Sequence, residues 1–298
     1  MAQGTSENPT SAGEGLVAPV TIRSIQKMAR DGNRFACLTC YDATTARWLE
    51  RSGVPVLLVG DTAAEVILGF PATIHCPLDF LVTLTAAVKR GAPKCLVMAD
   101  MPFLSYHADE AEGVRNAGRF MTEGTADCVK LEVDASFAPL VRKLARAGIP
   151  VVAHIGSRPQ HARLHGGYYA AGKTAEAARK LVEDARAMEE AGAVMLLVEA
   201  APQEVTELIV ASVRIPVIGC GAGSPCHGQI VVTHDLLGLT HWQPSFARPL
   251  VELGPQLLSL GRLWRDRVAN GELGEHPYVM SDAELAALEP LRREILGR

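Results

Sequence analysis

The sequence is short of extremes. No apolar run reaches the roughly 18 residues that a bilayer-spanning helix needs, which excludes a helical membrane protein. Net charge is only −4, from 29 basic and 33 acidic residues, so neither nucleic acid nor an anionic membrane is an expected partner. The opening stretch MAQGTSENPTSAGEGLVAPV lacks a basic flank followed by an apolar core, hence it lacks a secretory signal, and the expected compartment is cytoplasmic. Its Gly, Ser, Pro and Thr content predicts a disordered leader over residues 1–18. No His–Cys cluster has zinc spacing, and no linker divides the remainder. The cysteines number seven, odd in a chain without a signal, and are expected to be free thiols. Cys37 and Cys40 have CxxC spacing, but they fall in a strand-like run. Positions three apart there point to opposite faces, which argues against a redox or metal pair.

What the chain has in quantity is apolar residues, 48% of the total, in short runs. Eight recur: FACLTC (35–40), VPVLLVG (54–60), KCLVMAD (94–100), DCVKLE (127–132), IPVVAHIG (149–156), VMLLVE (194–199), IPVIGC (215–220) and QIVVTHD (229–235). Their apolar character is nearly continuous, as in parallel strands covered by helices. Helical patterns lie between them, among them ATTARWLERSG, SFAPLVRKLARAG and AEAARKLVEDARAMEEAG, several closing on the Gly expected at C′. This alternation predicts an α/β fold, a single (β/α)8 TIM barrel over about residues 34–245, with a doubly wound sheet as the rival. An N-terminal helix is expected in TIRSIQKMARDG, capped by Thr21, and a helical C-terminal tail after the barrel, so that residues 19–298 form one domain. The tail's apolar face is expected to pack on the barrel or on a neighbouring subunit, which predicts a homo-oligomer.

In a TIM barrel the chemistry sits at the C-terminal ends of the strands. Those ends carry Asp42, Asp61, Asp100, Glu132, His154, Glu199 and His234–Asp235. One such residue is as easily a solvated loop start, but repetition on most strands is not. Clustered carboxylates repel and need a proton, a cation or a metal. Asp61, Asp100 and Glu132 with few bases nearby suit a hard divalent ion such as Mg²⁺. Lys130 lies two residues before Glu132 and so shares its face, inside the barrel. It is a counter-charge on the plain reading and an oxyanion stabiliser on the sharper one, with Schiff-base chemistry a further possibility that the acids disfavour. The Gly-rich loop 220–229 is a phosphate cradle or only a tight turn. The long loop 157–173 is placed to act as a lid.

The motifs VGDT, RGAPKCLVMADMPF, VKLE, RPQ, GGY, IPVIGCGAG and HGQIVVTHDLLG stand in an order that resembles the ketopantoate (3-methyl-2-oxobutanoate) hydroxymethyltransferase family from about Arg23 to Phe246. The resemblance implies a barrel related to phosphoenolpyruvate mutase and isocitrate lyase. It implies Mg²⁺-dependent, aldol-type addition of a one-carbon unit from 5,10-methylenetetrahydrofolate to 3-methyl-2-oxobutanoate, in the pantothenate pathway, by an enzyme that forms decamers. By the same resemblance Asp61, Asp100 and Glu132 form the metal site and Glu199 is the proton acceptor. Thr62 and Lys130 contact substrate, and His154 lines the pocket, so the partners would be a 2-oxo acid and a folate.

Several positions depart from the family's pattern. Glu65 replaces a methionine, Val133–Asp134 replace two glycines, and Arg158 stands in an altered loop. These leave open a paralogue, a metal-dependent 2-oxo acid lyase or ligase, in which Glu65 or Arg158 points inward to meet a more polar substrate. A catalytically silent barrel serving as a scaffold is the remaining reading, and retention of the central polar residues argues against it.

Overall fold

A computed structural model describes residues 15–297; residues 1–14 of the expected leader lie outside the described residues. The chain divides into two compact units after Val251. In the first, eight strands among the described residues close into a barrel in chain order, every neighbouring pair parallel and β1 paired with β8. They are β1 (Phe35–Thr39), β2 (Val56–Val59), β3 (Leu96–Asp100), β4 (Cys128–Glu132), β5 (Val151–Gly156), β6 (Met195–Glu199), β7 (Val217–Cys220) and β8 (Gly228–Val231). The TIM barrel read from the sequence is therefore present.

The strand period of two divides each run between two cores. Val97, Ala99, Val129, Leu131, Ala153, Ile155, Leu196 and Val198 face outward into the layer under the helices. Leu96, Met98, Cys128, Val152, Met195, Leu197 and Ile218 face inward and fill the lower barrel with Phe35, Cys37, Val56 and Ile230. Ile25, from the N-terminal helix Ile22–Arg30, joins this inner cluster. Thr21 caps that helix through a capping box with Ser24, as its position predicts. Cys37 and Cys40 fall in different cores, and all seven cysteines are free. Burial raises the pKa of both thiols, Cys40 to about 11, so the CxxC spacing has no redox meaning here.

Two elements differ from the sequence reading. The last strand is expected over 229–235 but ends at Val231. Thr233 donates its hydroxyl to the Thr39 carbonyl, its N–H donates to the Thr39 hydroxyl at 3.0 Å, and the chain turns into a helical turn, Thr233–Leu236. The helix Leu78–Gly91 has no counterpart among the sequence-based helices. Its run LDFLVTLTAAV is too evenly apolar to show a clear stripe: Leu81, Val82, Thr85 and Val88 are buried on the β2–β3 side of the barrel, but Phe80, Leu84, Ala86 and Ala87 at half-exposed positions are apolar too. Gly91 allows its close approach, since a Cβ there would lie 2.4 Å from the Ala43 carbonyl oxygen.

The second unit contains the helices Leu253–Ala269 and Asp282–Leu296, neither with a buried residue. Ser281 caps the second through the Glu284 N–H.

Candidate active site

Strand register assembles the site. Asp100 pairs with Lys130, Glu132 with His154, and Glu199 lies between Gly156 and Cys220. Each belongs to an inward column whose lower positions are apolar, so all five side chains point into the barrel at its upper end. Asp61 follows β2 by two residues, and its backbone N–H donates to Asp100 Oδ2 at 3.2 Å. These residues floor a cavity of about 430 Å³, walled by Thr62, Glu65, Tyr168, Tyr169, Cys220 and Asp235 and rimmed by Trp242 and Phe246. The structure thus brings together Asp61, Thr62, Asp100, Lys130, Glu132, His154 and Glu199.

The floor is buried and heavily charged. Lys130 Nζ donates to Asp100 Oδ2 at 2.6 Å, with both side chains almost wholly buried. Burial opposes the Lys130 ammonium, but the Asp100, Asp61 and Glu132 carboxylates outweigh it and raise its pKa above the ordinary lysine value. Burial, then the charge of Asp100, pushes Asp61 up to about 8. Burial and the charge of Asp61 push Glu132 well above the usual carboxylate range. Glu199, whose side chain keeps 22% of its surface exposed, is raised by burial to about 7. His154 lies between two acids, Nε2 3.4 Å from Glu199 and Nδ1 3.8 Å from Glu132. It is neutral nonetheless: burial, reinforced by the charge of Lys130, holds its pKa well below 6.5.

The acids fit a hard cation in part. Asp100 Oδ1 and Glu132 Oε1 are buried without a hydrogen-bond partner, the state in which a carboxylate oxygen awaits a cation or water. Among the described residues no three His, Cys, Asp or Glu side chains make a preformed metal cage. That suits Mg²⁺ better than zinc, because Mg²⁺ is commonly held by one or two carboxylates together with waters and substrate oxygens.

Three sequence expectations are corrected. Asp42 does not reach the cavity: it is exposed and caps the helix Ala43–Arg51, accepting from the N–H groups of Thr44 and Thr45 at 2.8 and 2.9 Å. His234 packs against Tyr41 with the rings tilted at 51°, and only its neighbour Asp235 lines the cavity. Arg158 does not point inward. It donates to Asp134 Oδ2 at 2.9 Å and lines a separate cavity with Lys173 and Asp184. The two unusual residues satisfy each other. Glu65 does line the site, where Oε1 accepts the Tyr168 hydroxyl at 3.2 Å. The loop 157–173 expected as a lid supplies Ser157, Pro159, Tyr168, Tyr169 and Ala170 to the walls.

The sequence reading missed Gln160. Its Nε2 donates to Asp61 Oδ2 at 2.9 Å and to the Met101 carbonyl at 3.1 Å, and its backbone N–H donates to Glu132 Oε2 at 3.1 Å. Tyr106 completes the support. Its hydroxyl accepts the Glu132 N–H at 3.0 Å and lies 3.1 Å from Gln160 Oε1. Gln160 stands in the RPQ motif, which is the only signal the sequence offered for it.

The chain is similar in sequence and in fold to known proteins. The model of the ketopantoate hydroxymethyltransferase family matches residues 19–276. A 3-methyl-2-oxobutanoate hydroxymethyltransferase of Hyperthermus butylicus is 42% identical over 280 residues, covering 93% of this chain and 97% of that protein. One of Heliobacterium modesticaldum is 40% identical, covering 90% and 98%. Among solved structures, phosphonopyruvate hydrolase superposes with a TM-score of 0.59 at 13% identity, covering 92% of this chain and 96% of that one. A 2,3-dimethylmalate lyase, of the PEP mutase/isocitrate lyase superfamily, gives 0.54 at 16%, covering 93% and 99%. At such identities these structures speak for the fold.

Proposed function

The chain belongs to the ketopantoate hydroxymethyltransferase family, and from that premise we propose that it adds a one-carbon unit from 5,10-methylenetetrahydrofolate to C3 of 3-methyl-2-oxobutanoate, forming ketopantoate. The observation that carries the reading is Glu199. It is a carboxylate poised near pH 7, facing the cavity beside a buried Lys130–Asp100 pair.

Asp61 and Asp100 would hold Mg²⁺ directly, with Glu132 as a direct or water-mediated third ligand. Bound there, the ion supplies Lewis acidity toward the keto oxygen of the acid. Glu199 takes the C3 proton, and the C–H electron pair becomes the nucleophile. Lys130 offsets the negative charge that grows on the keto oxygen, and Thr62 contacts the acid. Neutral His154 lines the pocket beside Glu199 without adding positive charge. Water hydrolyses the donor's methylene bridge: both C–N bonds break, the two water hydrogens end on the nitrogens of tetrahydrofolate, and the one-carbon unit is left at the oxidation level of formaldehyde. The nucleophile bonds to that carbon, and the oxygen from water takes the proton held by Glu199 to complete the hydroxymethyl group.

Deuterium exchange at C3 across a panel of 2-oxo acids, with Mg²⁺, tests this. Exchange is expected for 3-methyl-2-oxobutanoate and product only when the folate is added; absence of exchange in the wild-type protein overturns the reading. For the metal, calorimetry on the Asp61→Asn/Asp100→Asn double variant is expected to show no Mg²⁺ binding, and unchanged affinity sinks the assignment. A second reading, a lyase or ligase acting on a more polar 2-oxo acid, is favoured by one observation, that Glu65 lines the cavity. A better kcat/KM for such an acid would select it.

The chain would act in the cytoplasm; no helix among the described residues is long and apolar enough to cross a membrane. Exposed Leu257, Leu260, Leu263 and Trp264 on the helix Leu253–Ala269 support a homo-oligomer, a decamer if the chain follows its family. Light scattering at micromolar concentration checks it, a monomer mass being the contrary result.

A further inference from the structure

Three of the chain's few aromatic side chains are exposed at one place. Tyr168 is 54% exposed, Trp242 70% and Phe246 44%, and all three line the mouth of the cavity whose floor is Asp61, Asp100, Lys130 and Glu199. Isolated exposed aromatics need no explanation, but a cluster at the rim of a charged pocket marks a ligand surface. The cavity of about 430 Å³ falls in the range of about 300–1,000 Å³ typical of sites for drug-sized ligands. A short 2-oxo acid bound on the floor leaves the rim untouched.

Two of the rings are fixed. The Tyr168 hydroxyl donates to Glu65 Oε1 at 3.2 Å, which gives this otherwise unusual acid a role in holding the ring. Phe246 lies over Gly221, where a Cβ would come within 2.5 Å of the ring carbons. Gly221 also has φ +61, so both its backbone and the ring's position call for glycine. Gly221 of loop 220–229 thus has a use that does not involve phosphate. Trp242 differs: it sits on a turn held by Thr240, whose hydroxyl donates to Asp235 Oδ1 at 2.6 Å, and its own ring is the most exposed of the three.

We infer that Trp242, with Tyr168 and Phe246, forms the binding surface for the one-carbon donor, taking the planar pyrimidine ring of a reduced folate by stacking above the acid-binding floor. This rests on the proposed function, since it presupposes a folate donor. The chemistry fits. Stacking on an aromatic face tolerates the polar edges of a heterocycle, and an open rim lets a donor much longer than the acid extend into solvent. The division also orders the site in depth: the floor makes the nucleophile and the rim presents the electrophile.

The test uses the full-length protein and separates this inference from the reading it rests on. In steady-state transfer assays Trp242→Ala is expected to raise the KM for 5,10-methylenetetrahydrofolate about tenfold or more, as loss of one stacked ring does elsewhere. Trp242→Phe, which keeps a ring, is expected to recover most of that loss, and the KM for 3-methyl-2-oxobutanoate is not expected to follow. Titration of the wild-type protein with 5-formyltetrahydrofolate should quench tryptophan fluorescence, and Trp242→Phe, which retains Trp48 and Trp264, should lose that quench. A donor KM within about twofold of wild type in Trp242→Ala, or an undiminished quench in Trp242→Phe, overturns the inference. Failure of the wild-type protein to exchange the C3 proton overturns the reading beneath it instead.

Discussion

Along β3 the barrel interior reads Leu96, Met98, Asp100; along β6 it reads Met195, Leu197, Glu199; along β4, Cys128, Lys130, Glu132. The same strands therefore build two interiors. The lower one is apolar and closed, and its side chains gain by leaving water. The upper one is also shielded, Glu199 apart, yet it holds carboxylates and an ammonium that burial alone would neutralise. The difference shows where the fold places its buried ionisable side chains. The lower strands supply stability, and part of it is consumed two residues higher, where Asp61, Glu132 and Glu199 are held with raised pKa values.

The sharpest way to break this division is Glu199→Gln. If the upper interior exists for chemistry, loss of the proton acceptor should reduce C3 exchange by about 10²–10⁴-fold while the thermal midpoint holds or rises. The pH dependence follows from the raised pKa. Glu199 acts as a base only when deprotonated, so exchange should rise with pH through about 7 and level off above it. In Glu199→Gln the residual rate should lack that limb. A wild-type profile already flat from pH 5 to 8 would remove Glu199 from the role.

Two substitutions one layer apart sharpen the comparison. Lys130→Met leaves Asp100 buried without its partner, and losing one member of a buried pair costs about 3–5 kcal/mol. Met98→Ala, on the neighbouring strand just below, opens a cavity at a cost of about 2–5 kcal/mol. Denaturant unfolding should find both variants destabilised to a similar degree. Activity should part them: kcat per folded molecule is expected to stay within about twofold in Met98→Ala and to collapse in Lys130→Met. Equal loss of activity in both would mean that the two interiors are not separable.

The division was largely legible in the sequence because the strand period does the sorting. Once VMAD and KLE are strands, Asp100, Lys130 and Glu132 have to share the inside of the barrel. The same logic misplaced Asp42, which also follows a strand. There the next residues start a helix, and the Asp42 carboxylate is taken by the N–H groups of Thr44 and Thr45. Asp61 escapes that fate because its carboxylate meets Gln160 from the far side of the barrel mouth. That contact spans distant parts of the chain, so no local pattern announced Gln160. The helix Leu78–Gly91 went unread for another reason: apolar residues occupy its half-exposed positions as well as its buried ones, so the sequence shows no clear period.

Arg158 is the smallest effect and the most direct check on where the upper interior ends. The sequence placed it at the mouth, where an inward guanidinium would select a second carboxylate or a phosphate. The structure turns it away, onto Asp134, with side chains 18% and 24% exposed. The pair bridges the loops after β4 and β5. A part-buried ion pair at the edge of a loop contributes about 1 kcal/mol. Arg158→Ala is therefore expected to lower stability by no more than that, and a double-mutant cycle with Asp134→Ala should return a coupling of the same small size. Relative kcat/KM for 3-methyl-2-oxobutanoate and for a 2-oxo acid with a second carboxylate should change by less than about twofold. A tenfold change in that ratio, about 1.4 kcal/mol, would show that Arg158 reaches the substrate after all. The boundary of the site would then move outward from the cavity walls to include the Asp134–Arg158 pair.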